Sequence, residues 1–164
     1  MLFLSRSLLG SATLLFCGCS LIGLSDSAPP PAREFIPGIP DLQIGQSWKE
    51  ADGAIRSICP ACEAPRIGTS ALYKIDSSSI STVTLKLKKA GPPRDPENPQ
   101  VVLILVGYKK PYYRWEETLR THLGEPEKNE DGVLIWKLDN PYCVVTYIAG
   151  NLIVADRSTG TLQF

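Results

Sequence analysis

Residues 80–89 admit one kind of regular structure. Val83, Leu85 and Leu87 alternate with Thr82, Thr84, Lys86 and Lys88, a period of two that sends apolar side chains to one face of a strand and polar ones to the other. A helix would scatter the same residues around its circumference. Strands with one wet face belong to antiparallel sheets. Residues 101–106 are instead continuously apolar, too short for a buried helix and suited to a strand covered on both faces. Strand-like runs recur at 71–76, 133–138, 142–149 and 152–157. Asp131-Gly132 and Asp139-Asn140-Pro141 punctuate them, and Gly150-Asn151 predicts a type II′ hairpin turn. Residues 90–100, with prolines at 92, 93, 96 and 99, predict a long irregular connection.

Two helices interrupt the strands. Ser47 and Glu50 have the spacing of a capping box, and Trp48, Ala51, Ile55, Ile58 and Cys62 form one apolar stripe that Pro60 and Pro65 limit. A second helix is expected over 112–123, after Pro111, with Tyr112, Trp115, Leu119 and Leu123 on its stripe and Gly124 and Pro126 ending it. The order α-β-β-β-α-β-β-β predicts an α+β fold. Two α-β-β-β halves would form one antiparallel sheet with the helices packed on one face. At 164 residues the chain holds one ordinary domain.

The N-terminus carries a different signal. Residues 8–17 are apolar apart from Gly10, Ser11 and Thr13 and follow Arg6, the layout of a signal-peptide h-region, at roughly half the length of a bilayer span. Phe16-Cys17-Gly18-Cys19-Ser20 then resembles the lipobox of bacterial lipoproteins, although Phe16 stands where Leu is usual. That resemblance implies cleavage before Cys19, acylation of its thiol, and, with Ser20 next, sorting to the outer membrane facing the periplasm. Two other readings fit: cleavage after Ser27, releasing a soluble protein, or retention of residues 8–24 as a short span. Residues 25–41 carry Pro29, Pro30, Pro31, Pro37 and Pro40 and no apolar periodicity, which predicts an extended spacer. The expected organisation is a signal peptide at 1–18, a lipidated cysteine and Pro-rich tether at 19–41, and a single domain at 42–164.

Leu42, Ile44, Gly45 and Ser47, the helix end Leu123-Gly124-Glu125-Pro126, Val133-Leu134-Ile135-Trp136 and the closing hairpin to Val154 resemble small outer-membrane lipoproteins of the SmpA/OmlA (BamE) family. They also resemble the β-lactamase-inhibitor-protein-like fold built from tandem copies of such a unit. The likeness covers residues 42–58 and 112–157 and departs at the end of the first helix, where Ile58-Cys59-Pro60-Ala61-Cys62 stands. It implies a non-enzymatic role in envelope assembly or in binding a partner across the sheet.

Candidate chemistry is sparse. Cys59 and Cys62 predict a local disulfide in an oxidising compartment. A thiol oxidoreductase would need its cysteine at a helix N-terminus, whereas this pair follows a helix C-terminus, whose field raises a thiol pKa. A zinc site from Cys59, Cys62, Cys143 and His122 has suitable ligand types, but only the first two have diagnostic spacing. Cys143 begins an apolar strand and reads as a small hydrophobe. No nucleophile motif points at His122, the single histidine. Lys109, Lys110, Tyr113 and Arg114 interleave charge and aromatic surface and are the candidate partner contacts. Phe164 as a barrel-type terminus is discounted for want of a lipid-facing pattern. No catalytic residue, metal ligand or cofactor is assigned.

Removing residues 1–18 takes away Arg6 and leaves 16 basic against 17 acidic side chains, so nucleic acid is not an expected partner. The expectation is a membrane-anchored envelope lipoprotein acting as a binding or assembly factor, with the membrane and an envelope protein as partners. Thiol/disulfide or metal-dependent activity at Cys59 and Cys62, and secreted inhibition of an enzyme, are the alternatives.

Overall fold

A computed structural model describes residues 36–88 and 98–159. The expected signal segment, Cys19, the expected tether up to residue 35, most of the 90–100 connection and Phe164 lie outside them. The first helix, α1 (Trp48–Ile58), starts where the capping box places it. Ser47 Oγ accepts from the Glu50 amide and the Glu50 carboxylate accepts from the Ser47 amide, so two orphan donors are satisfied at once. Cys59 caps its far end, and Pro60 follows. Two strands that the residue pattern did not signal, β1 (Arg66–Ile67) and later β5 (Lys128–Glu130), are two and three residues long.

Between and after these run β2 (Ser70–Lys74), β3 (Ile80–Lys88) and β4 (Gln100–Tyr108), then α2 (Tyr113–Leu123), then β6 (Val133–Asp139), β7 (Tyr142–Ile148) and β8 (Asn151–Asp156). All eight strands form one antiparallel sheet in the order β1-β2-β3-β4-β8-β7-β6-β5. With two helices on a sheet, the described residues have an α+β architecture. The longest apolar run, β4, is central, between β3 and β8. Among the described residues no helix is long and apolar enough to cross a membrane.

The register assigns the faces. Val83 opposes Val106, Leu85 opposes Ile104, Ile104 opposes Val154, and Val154 opposes Val145, which opposes Trp136. These residues are buried and share one hydrophobic cluster with Ala51, Ala54 and Ile55 of α1 and Leu119 of α2. Both helices therefore pack on this face. β3 alternates as its residues require: Val83, Leu85 and Leu87 are buried, while Lys86 and Lys88 are exposed.

Two features differ from expectation. Residues 36–41, the end of the expected spacer, turn back through hydrogen bonds from Ile39 N to Ile36 O and from Leu42 N to Ile39 O, and they bury Ile36, Ile39 and Leu42 completely. Tyr108 Oη donates to Pro37 O at 3.1 Å, which ties this segment to β4. The last hairpin turns at Ala149-Gly150, with φ of 47° and 84°, and not at Gly150-Asn151. Asn151 is already paired with Ile148, so both turn residues are left-handed, the type I′ pattern whose twist suits a hairpin.

Candidate functional site

The sheet face away from the helices is apolar across its centre. Side chains alternate along a strand, so Leu103 and Leu105 of β4, Ile153 and Ala155 of β8, Val144, Thr146 and Ile148 of β7, and Val133 and Ile135 of β6 all lie on the opposite side from the core. Leu72, 43% exposed, stands on β2 beyond Thr84 of β3, and Ile148 is 39% exposed. Small side chains form its floor. Ala155 opposes Leu103 and Val144, and Thr146 opposes Ile153 and Ile135. Their larger neighbours bury both, leaving Thr146 only 3% exposed.

Among the described residues Thr146 Oγ1 has no hydrogen-bond partner. A buried, unpaired hydroxyl costs about 1–3 kcal/mol, and apart from the aromatic residues no other side chain with a polar or charged group is buried among the described residues.

Charge flanks the apolar centre on both sides. Lys74, Lys86 and Lys88 stand on β2 and β3, with Lys128 and Lys137 on β5 and β6. Lys137 pairs with Glu127 at 2.9 Å, and Asp139 pairs with Arg157 at 3.2 Å. The Arg157 guanidinium also lies 4.1 Å from the centre of the Tyr142 ring. Among the described residues, Lys74, Lys86, Lys88 and Lys128 take no ion pair.

The segment from Lys109 to Arg114 lies at one end of the sheet, where three loops meet. Lys109 N donates to Ser79 O and Tyr108 N donates to Gly150 O, both at 2.8 Å. Trp115 stacks on Tyr108 with centroids 4.4 Å apart, and its indole N–H donates to Lys109 O at 3.0 Å. Tyr147 Oη donates to Tyr112 O at 2.8 Å. Lys109 itself is turned inward, its ammonium bonded to Ser77 O and 4.0 Å from Asp76. Tyr113, 68% exposed, and Lys110 and Arg114 point to solvent. Of the four candidate contacts, three are presented together and Lys109 holds the loop.

Cys59 and Cys62 are disulfide-bonded, with Cα atoms 5.4 Å apart. Cys62 is buried, with Sγ 3.0 Å from Lys74 O, so the bridge ties the end of α1 to β2. Both sulfurs are thereby committed. Cys143 is fully buried on the helix-side face of the sheet, and burial pushes its thiol up to about 12, which makes it inert at neutral pH. His122 Nδ1 contacts Thr118 O at 2.7 Å in the last turn of α2. Among the described residues no three His, Cys, Asp or Glu side chains are grouped to hold a metal ion. No family model, curated protein or solved structure matches the chain.

Proposed function

We propose that this chain is a membrane-anchored envelope lipoprotein that acts by binding, as a docking or assembly factor and not as a catalyst. The observation that carries the binding reading is the half-buried apolar strip Leu105, Ile153, Val144 and Ile135, laid over four adjacent strands opposite the helices beside the buried Leu103. A sheet needs one apolar face to fold against its helices. A second apolar face is excess, and contiguous excess of this kind marks interaction surfaces. The anchor reading is carried by the apolar run 8–17 ending at Gly18-Cys19, and acylation of Cys19 would place the sheet near a bilayer.

The finer fold reading belongs to the same proposal. α1 with β1 to β4 and α2 with β5 to β8 are two copies of one plan joined through β4 and β8. The mirrored sheet order β1-β2-β3-β4-β8-β7-β6-β5 supports it.

Metabolic labelling with a fatty acid tests the anchor. Label in the native chain and none in Cys19→Ala at equal expression is the expected result. An unlabelled cytosolic chain retaining residues 1–18 would remove the compartment and the partner class together. Intact mass with and without reductant and alkylator tests the thiol alternative, for which rapid alkylation at neutral pH without reductant would be required.

A further inference from the structure

Resting on the reading of Cys19 as a lipid anchor, we infer that the end of the sheet carrying Lys109 to Arg114 faces the bilayer, and that its exposed tyrosines and cations seat in an anionic phospholipid surface. The chain enters the domain at this end. Tyr108 Oη donates to Pro37 O at 3.1 Å, and a Cβ on Gly38 would lie 3.2 Å from Ile80 Cδ1. Tyr108 ends β4 and Ile80 begins β3, so residues 37 and 38 lie where Lys109 to Arg114 emerges from the sheet. Tyr108 also stacks on Trp115, whose indole N–H donates to Lys109 O at 3.0 Å. Two side chains thus join the entry point to the exposed segment. From there the backbone runs to the opposite end, where Gly45 N donates to Val101 O. An acylated Cys19 would hold the domain by this end, with a covalent chain to Ile36 of at most roughly 60 Å. A surface kept that near is met at high effective concentration, so weak contacts suffice to orient the domain.

The chemistry of this end fits headgroups. Tyr113 is 68% exposed and Tyr112 37%, and Lys110 and Arg114 are exposed beside them. Tyr112 is held in place: its carbonyl accepts from Tyr147 Oη at 2.8 Å and its ring lies against Gly150. Tyrosine rings settle at the boundary between acyl chains and water, and lysines and arginines gain by approaching anionic lipid. Around the entry point Lys74, Lys109, Lys110 and Arg114 stand against one carboxylate, Asp76. Asp131 lies in the β5–β6 turn, and β6 is three strands from β4. Glu116 and Glu117 lie further along α2, the first paired with Arg120 at 3.2 Å. A lipid surface is chosen over a protein because the anchor delivers this end to the bilayer within one molecule, whereas a partner would have to compete for it.

The test reads tryptophan emission of the acylated full chain in vesicles of phosphatidylethanolamine and phosphatidylglycerol whose acyl chains carry bromine as quencher. The native tryptophans give the baseline. Tyr113→Trp adds a reporter at this end, and Tyr142→Trp adds one at the opposite end, where Tyr142 is 52% exposed beside Arg157. Bromine is expected to remove about half or more of the added emission at position 113 and less than about a tenth at position 142. Lys110→Glu with Arg114→Glu should cut the quenching at position 113 at least about twofold. All these positions are exposed, and unchanged unfolding midpoints confirm that the variants fold. Equal quenching at both positions, or quenching at neither, would overturn the orientation and leave the anchor standing. Quenching indifferent to the charge reversal would overturn the recognition of anionic lipid. A position 113 reporter unquenched in vesicles yet shielded from iodide in native membranes would overturn the lipid occupant in favour of a protein. An intact mass without acyl chains on Cys19 would overturn the anchor reading, and this inference with it.

Discussion

Gly150 shows how one residue holds the loops at the sheet end together. Its φ is 84°, and a Cβ there would lie 2.3 Å from Tyr112 Cε1, inside any tolerable contact. Gly45 has the same φ, yet a Cβ there meets nothing within 4 Å. Gly45→Ala should therefore cost only the left-handed strain, about 1 kcal/mol. Gly150→Ala adds displacement of the Tyr112 ring, and a total of about 3 kcal/mol is expected. Denaturant midpoints separate the two. Cys143 gives a pH-dependent counterpart. Burial, then the Asp156 carboxylate, raise its thiol from 9.0 to about 12. The unfolded chain releases this proton near the ordinary value, so the contribution is complete below about pH 9 and is lost as pH rises from there towards 12. Unfolding free energies at pH 7 and pH 10 should show that loss, and Cys143→Ala should lessen it. A Cys143→Ala profile as steep as the native one would assign the alkaline loss to other groups, of which Tyr147, raised to about 12 by burial, is one.

At the scale of elements, the long patterned segments were legible and the short paired ones were not. The capping box at Ser47 and Glu50, the alternation over 80–88 and the stop at Gly124 each carry a local physical cause, and α1, β3 and α2 follow them. Arg66-Ile67 and Lys128-Asn129-Glu130 carry none. Two or three residues long and too short to show an alternation, they are strands only because β2 and β6 offer them an edge. The last hairpin turned one residue earlier than its glycine suggested, because Ala149 adopts the left-handed region that composition assigns to Gly or Asn. Ile36, Ile39 and Leu42 were hidden for another reason. Prolines at 37 and 40 remove any period from the segment, while its apolar side chains still find the core. The Cys59–Cys62 bridge closes a very short loop, so the chain-entropy argument gives it only about 2 kcal/mol. Reduction should lower the unfolding midpoint accordingly and leave the circular dichroism of the fold intact. Collapse of the fold on reduction would mean that the bridge supports β2 far beyond its loop entropy.

For the whole molecule, the decisive feature is a sheet with apolar residues on both sides and helices on one. Alternation reveals two faces only when they differ in polarity. In β7 the sequence Tyr-Cys-Val-Val-Thr-Tyr-Ile sends Cys143, Val145 and Tyr147 to the core and Val144, Thr146 and Ile148 to the other side. The strand pattern alone cannot say which side is covered. That Tyr113 and Arg114 stand off the apolar stripe of α2 was legible from helix spacing, whereas the second apolar face emerged only from the register that aligns β4, β8, β7 and β6.

Whether that surface is a binding face or a second core is decided by comparing two neighbours on β8. Ile153 faces the helix-free side and Val154 the helices. Ile153→Thr keeps a β-branched side chain on an open face and should cost about 1 kcal/mol or less. Val154→Thr buries an unpaired hydroxyl in the core and should cost about 1–3 kcal/mol, at the upper end for a fully enclosed site. Denaturant unfolding of the two variants is the direct measurement. A clearly smaller loss for Ile153→Thr is the result expected of a face kept for a partner; losses of equal size would mean that the helix-free side is structural core.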